Sequence, residues 1–285
     1  MSKEKEIYVD KKGKRIDGRG IDDLREIKIK VGVIPSAKGS CYLEWGQNKL
    51  YASVFGPNEH IPKHSSDPLK AKIKFNYRMA TFSVPDRKNP RPARREVEIS
   101  KVCAEALSKA VFLERFPGTQ IEVETEIFDS NAGSRAAALT AASVALADAG
   151  IPMKGLVSSC GVGKAGGELL IDLNKHEEDA PDAVDIPMAI IPSSEEVVLL
   201  QMDGLLTKQE YAKVIEKGIK ACHKVYEIQK KALKEKYDDL VKQEAKKPDA
   251  KKPEVKKSEP KKAEKKKEEK KPESKADALF EGGLI

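Results

Sequence analysis

The chain has 285 residues, 53 of them Lys or Arg and 46 Asp or Glu, for a formal net charge of +7. Residues 246–275 hold 14 Lys against 7 acids, so this stretch carries the whole excess and the remainder is formally neutral. That excludes a uniformly basic, histone-like body: any nucleic-acid contact there must come from local clusters of Arg and Lys.

Residues 1–14 are polar and read as a flexible N-terminal segment without the apolar stretch of a secretory signal. Glu26 to Val33 alternates apolar and charged residues, the pattern of a half-buried strand. SCYLEWG (40–46) and KLYASVFG (49–56) read as a hairpin turning at Gly46, Gln47 and Asn48. The Pro-containing 57–68 is a loop, and 70–84 alternates again as a strand. Three prolines in 85–93 hold off a helix until Arg94. From there apolar residues at three- and four-residue steps predict an amphipathic helix over 94–116, closed by Pro117-Gly118. A strand over 120–128 leads into an Ala-rich helix ending at Gly150. Two strands flank Lys164–Gly167, and AVDIPMAIIP and EVVLLQMDG give two more. Thr207 and Glu210 form a TxxE capping box opening a long helix to about Lys242. Strands arrive in groups before each helix, so the fold class is α+β around one core over 15–245. The four Cys (41, 103, 160 and 222) lie far apart with no CxxC and read as reduced, packed thiols. No run of about 18 apolar residues occurs, so a cytoplasmic protein with no membrane partner is expected.

The tail is a different material. Lys-Lys pairs recur every five residues from Lys246, and Val255 is the one strong apolar residue, too little to fold alone. We read 246–275 as a disordered Lys/Pro/Glu tail, and 276–285 as a short apolar peptide, either a docking element or an incidental end.

Three constellations could carry chemistry. Gly133, Ser134 and Arg135 stand where a strand runs into a helix. Free backbone N–H groups, a hydroxyl and a guanidinium there suit an oxyanion such as phosphate; the plainer reading is a helix cap. Arg94 and Arg95 open the next candidate helix, at an end that repels cations. They either hold an anion or lie solvated with Glu96 and Glu98 as partners. Asp185 sits between Val184 and Ile186, where partial desolvation would raise its pKa and suit a general acid. Asp179, six residues earlier, could share a Mg²⁺ with it; the plainer reading is an acidic surface turn. Neither a Walker A motif nor GxGxxG is present, and the four His show no ligand spacing. Together the parts point to phosphoryl chemistry with an external nucleophile.

At RIDGRGIDDLREIKIKVG, KNPRPARREVEISK, FDSNAGSRAAALTAASVALADAGIPM and DLNKHEEDAPDAVDIPMAIIP the sequence resembles the RNase PH family, in particular the catalytic ring subunits of archaeal exosomes. The resemblance covers about residues 8–240 and implies an RNase PH-like (ribosomal protein S5 domain 2-like) fold. It implies a phosphate-dependent 3′→5′ exoribonuclease that releases nucleoside diphosphates and can run in reverse to tail RNA. Arg95, Gly133, Ser134 and Arg135 would then hold phosphate, inorganic phosphate being the co-substrate. Arg94 and Lys63 would contact RNA; Lys63 stands where Arg is common, and Asn131 where Asp is usual. Asp179 and Asp185 would be catalytic and bind Mg²⁺ or Mn²⁺, Asp185 giving the proton. The implied assembly is a hetero-hexamer, three copies alternating with three of an inactive paralogue, with RNA-binding cap subunits. Two alternatives are a stand-alone tRNA 3′-trimming enzyme and a silent, RNA-threading ring subunit.

Overall fold

The structure, a computed structural model, describes residues 8–10 and 13–245. The expectations for 246–275 and 276–285 lie outside these residues. One compact unit covers Met1–Glu244. Its strands are β1 (Ile27–Val31), β2 (Gly39–Trp45), β3 (Asn48–Glu59), β4 (Lys72–Met79), β5 (Thr119–Asp129), β6 (Ser158–Ala165), β7 (Glu168–Ile171), β8 (Val184–Ile191) and β9 (Glu196–Leu200). Its helices are α1 (Arg94–Ala110), α2 (Ser134–Asp148), α3 (Lys175–Glu178) and α4 (Lys208–Ala245).

The strands form a five-stranded sheet, β1-β2-β3-β5-β4, and a four-stranded sheet, β7-β6-β8-β9. All pairs are antiparallel except β4 with β5. The expected hairpin is present, with Trp45 opposite Asn48. Helix α2 packs on β2, β3 and β5 of one sheet and β6 and β8 of the other. A helix covered on both sides cannot be amphipathic, which is why its sequence is Ala-rich all round. Ala136, Ala137, Ala138, Ala141, Ala142 and Ala145 are all buried. Their small side chains let two sheets approach one helix. This arrangement fixes the N-terminus of α2 between the sheets, where β5 delivers it.

Most sequence-predicted elements are present; the exceptions have local causes. Helix α1 ends at Ala110, not at 116. Val111 is extended and bridges Met153, and its β-branched side chain is buried there. Strand β4 stops at Met79, because residues 80–93 turn back over the end of β5. The single-turn α3 was not expected, although Asn174 and Glu177 form a reciprocal capping box of the N-x-x-E kind. Thr207 and Glu210 cap α4 as expected, and Gly150 takes a left-handed conformation (φ 70°) beyond α2. All four Cys are free and buried.

Candidate active site

The turn between β5 and α2 is the centre of the site. Ala132 and Gly133 are both left-handed, with φ of 56° and 65°. A Cβ on Gly133 would stand 3.0 Å from Nη2 of Arg25, so glycine serves both conformation and space. The turn is held from behind. Asn48 donates to the Ala132 carbonyl (2.7 Å) and accepts from the Asn131 N–H (2.6 Å). The Asn131 side chain donates to Gln47 and accepts from the N–H of Lys175 (2.8 Å), tying the turn to α3. An Asp here could accept but not donate, so Asn at 131 is suited to both bonds.

Ser134 begins α2 and is buried; its hydroxyl lies 2.7 Å from that of Tyr77. Burial, the largest influence, pushes the Tyr77 phenol up to about 12. Tyr77 therefore stays protonated and orients Ser134. Sequence reasoning missed it because β4 places it there across the sheet. Arg135 is braced between Gln201 and Glu98 (3.3 Å), and Gln201 donates to Glu98 (2.8 Å). Arg94 and Arg95 are exposed and make no ion pair among the described residues. Of their expected partners, Glu98 pairs with Arg135, and Glu96 accepts the Ala93 N–H and pairs with Lys88. Their guanidiniums are thus left for a ligand.

Arg95 and Arg135 line one wall of a cavity of about 510 Å³, with Lys175, Glu178, Asp185 and Asp203 around the rest. Asp185 stands on β8 opposite Gly163, and its backbone exchanges two hydrogen bonds with Asp203 (3.0 and 2.9 Å). Burial raises the Asp185 carboxyl most, and the negative charge of Glu178 adds to it. Arg135 and Arg95 pull it back, leaving it at about 6. It is a carboxyl that can hold a proton near neutrality while facing cations.

The structure brings Arg95, Arg135 and Asp185 to this cavity, with Gly133 and Ser134 at the turn that begins α2. It does not bring Asp179. That side chain is about 61 % exposed and pairs with Lys175 one turn back (2.5 Å). Neighbouring residues on a helical turn point about 100° apart: Glu178 lines the cavity, while Asp179 turns to Lys175. Glu178, in the same acidic run of 177–179, is the acid that lines the cavity beside Asp185. Burial raises its carboxyl, offset in part by Lys175, Arg95 and the N–H of Gly133. Replacing Glu178 by Gln is therefore expected to lower the titration midpoint of Asp185 from about 6, whereas Asp179→Asn should leave it in place; carboxyl ¹³C NMR checks both. Lys63 and Arg94 lie outside the cavity lining, and Lys63 is exposed and paired with Glu59 (2.6 Å).

Behind the cavity a second layer fixes α3. Arg15 and Glu177 form a two-pronged, fully buried pair (2.9 and 3.0 Å), and Arg15 also donates to the Ile171 carbonyl (2.8 Å). Asn174 and Glu177 cap α3 from within. Glu178 and Asp179 are thereby hung from an anchored turn.

Comparison with known proteins gives the family. The models of the 3′ exoribonuclease family match at residues 23–152 (domain 1) and 155–221 (domain 2). The chain is 51 % identical to exosome complex component Rrp41 of Pyrococcus furiosus over 229 residues, 80 % of this chain and 91 % of that one. It is 49 % identical to the component of the same name from Nitrosopumilus maritimus over 231 residues, 81 % and 94 % of the two chains. Among solved structures, rice Rrp46 superposes with a TM-score of 0.70 at 24 % identity, covering 77 % of this chain and all of that one. The Archaeoglobus fulgidus exosome, solved with RNA bound to its active site, gives 0.65 at 24 %, covering 76 % and 92 %. These two establish shared architecture, and the family matches go further: the chain belongs to the 3′ exoribonuclease family of RNase PH type.

Proposed function

We propose that this protein is a phosphorolytic 3′→5′ exoribonuclease and the catalytic subunit of an exosome ring. The observation that carries the reading is a single cavity in which unpaired Arg95 and braced Arg135 face a protonatable Asp185. Gly133 and Ser134 supply the helix N-terminus behind them. Inorganic phosphate held there attacks the phosphorus of the last phosphodiester. The new P–O bond forms as the bond to the 3′ oxygen breaks. That oxygen takes the proton from Asp185, and a nucleoside diphosphate leaves. The reverse reaction uses the same groups and adds a nucleotide to an RNA 3′ end.

Asp185, Glu178 and Asp203 offer hard oxygen donors, which fits Mg²⁺ or Mn²⁺. Among the described residues no three His, Cys, Asp or Glu side chains are gathered closely enough to hold an ion by themselves. A bound ion would therefore rest on Asp185 with one further carboxylate, and would supply charge to the developing anion. Asp179 could join only after its bond to Lys175 opened. Arg94 and Lys63, exposed and outside the cavity lining, would meet RNA on its way in.

The relatives' description as exosome components and the RNA-bound Archaeoglobus exosome support RNA and an exosome assembly as partners; the proposed assembly is a ring of three copies alternating with three of an inactive paralogue, with RNA-binding cap subunits. No helix among the described residues is long and apolar enough to cross a membrane, and the cytoplasm is the proposed location. The test is a 3′-labelled oligo-RNA incubated with the protein, alone and with its ring partner, with and without phosphate. Nucleoside diphosphate released only with phosphate is expected. Monophosphate products, or no need for phosphate, would sink the mechanism.

A further inference from the structure

The Arg25 guanidinium is held by the Asp172 carboxylate, which Arg19 also approaches at 3.5 Å. Its Nη2 and Nε bind Asp172 at 2.6 and 3.0 Å, and its own N–H donates to the same carboxylate at 2.7 Å. Trp45 also donates to Asp172, at 2.9 Å. Asp172 is about 3 % exposed and its backbone is left-handed, with φ of 57°. Burial alone would raise this carboxyl; Arg25 and Trp45 outweigh that and hold it below the usual range. The salt bridge is therefore closed, yet the guanidinium has N–H groups to spare. Nη1 donates to the Asn131 carbonyl and Nη2 to that of Ala132 at 3.4 Å.

These two carbonyls belong to the turn that carries Gly133 and Ser134. A left-handed Ala132 is unfavourable by about 1–2 kcal/mol and persists only where neighbours over-determine it. Arg25 and Asn48 both grip its carbonyl. Holding the carbonyls of 131 and 132 fixes the peptide planes whose opposite edges carry the N–H groups of Ala132 and Gly133, and the Gly133 N–H meets Glu178, which lines the cavity. Asp172 in turn is fixed to the strand that leads into α3, so one ion pair ties the anion-binding turn to the carboxylate-bearing turn.

We infer that Arg25, oriented by Asp172, is a positioning residue that sets the shape of the phosphate-binding turn and so governs capture of inorganic phosphate. The inference rests on the phosphorolytic reading. It separates Arg25 from Arg95 and Arg135: those act by charge, this one by geometry. Lysine at 25 would keep the ion pair but lacks the planar fork needed to reach Asp172 and two carbonyls together.

The experiment compares wild type, Arg25→Lys, Ala132→Gly and the double variant in the reconstituted ring. Arg25→Lys should raise KM for phosphate about ten-fold, with KM for RNA within about two-fold and little loss of melting temperature. Glycine takes the left-handed conformation without penalty, so the double variant should recover much of that loss. Arg25→Lys with wild-type KM for phosphate would overturn the inference, as would equal rises in both KM values or no recovery in the double variant. If Arg25→Lys does not fold, Asn48→Ser removes the other grip on the turn and must raise KM for phosphate in the same selective way, or the inference fails. A wild-type ring that releases no nucleoside diphosphate would defeat the functional reading itself, and is told apart because it needs no variant.

Discussion

Asp185→Asn abolishes turnover, by about 10³-fold or more, and in the same preparation makes the protein harder to melt at pH 7.5. Both outcomes follow from one carboxyl held at about 6. The fold binds this proton more tightly than the unfolded chain does. Stability from the protonated form is thus fully present below about pH 4 and is lost as pH rises through about 6. Above that, wild type carries a buried anion beside Glu178 and Asp203, and an amide does not. With solvent screening allowed for, the gain is about 1–2 kcal/mol, or a few degrees. Thermal unfolding with EDTA, at pH 4 and at pH 7.5, checks it: the variant should be more stable only at the higher pH. Retained turnover would remove Asp185 from the chemistry, and a pH-independent difference in melting would remove the buried anion from the explanation.

The other large effect concerns stability. Arg15→Ala leaves Glu177 as an uncompensated charge with no exposure of its own, and breaking such a pair costs about 3–5 kcal/mol. For a body of this size that lowers the melting temperature by roughly 10 °C. Replacing both partners together, Arg15→Met with Glu177→Leu, should recover much of the loss, because the buried charge is gone. Since Glu177 caps α3, the single variant should also free residues 174–179 to exchange amide hydrogen early. Mass spectrometry of exchange in that peptide tests the local claim, and calorimetry the global one. A single variant that melts with wild type would show that water reaches Glu177.

What was legible in the sequence was what repeats locally. Alternation marked β1 and the hairpin, the three- and four-residue spacing marked α1 and α4, and the Gly-Ser-Arg run marked the turn into α2 as a candidate anion site. The end of α1 was misplaced because Val111 leaves the helix to pair with Met153, a preference decided by tertiary packing. Helix α3 was missed because one turn has no periodicity, although its Asn174–Glu177 cap was readable. Without that turn, nothing in the acidic run says that Glu178 lines the cavity while Asp179 pairs with Lys175. Tyr77, Arg15, Arg25 and Asp172 carry no local signal, since their partners lie on distant strands.

That distance has a kinetic consequence. Arg15 meets Glu177 across 162 positions and Arg25 meets Asp172 across 147, whereas the β2–β3 hairpin closes over a few residues. Contacts this far apart form late, because the loop entropy of closing them is met before they return anything. On the ribosome the segment around Arg15 emerges first and must wait unpaired until residue 177 has been made. A full-length chain slow to close these contacts would carry most of its helix and hairpin structure and no working site. Activity should therefore return after refolding more slowly than helix signal does, and the interval between them measures how long the N-terminal arginines take to come home.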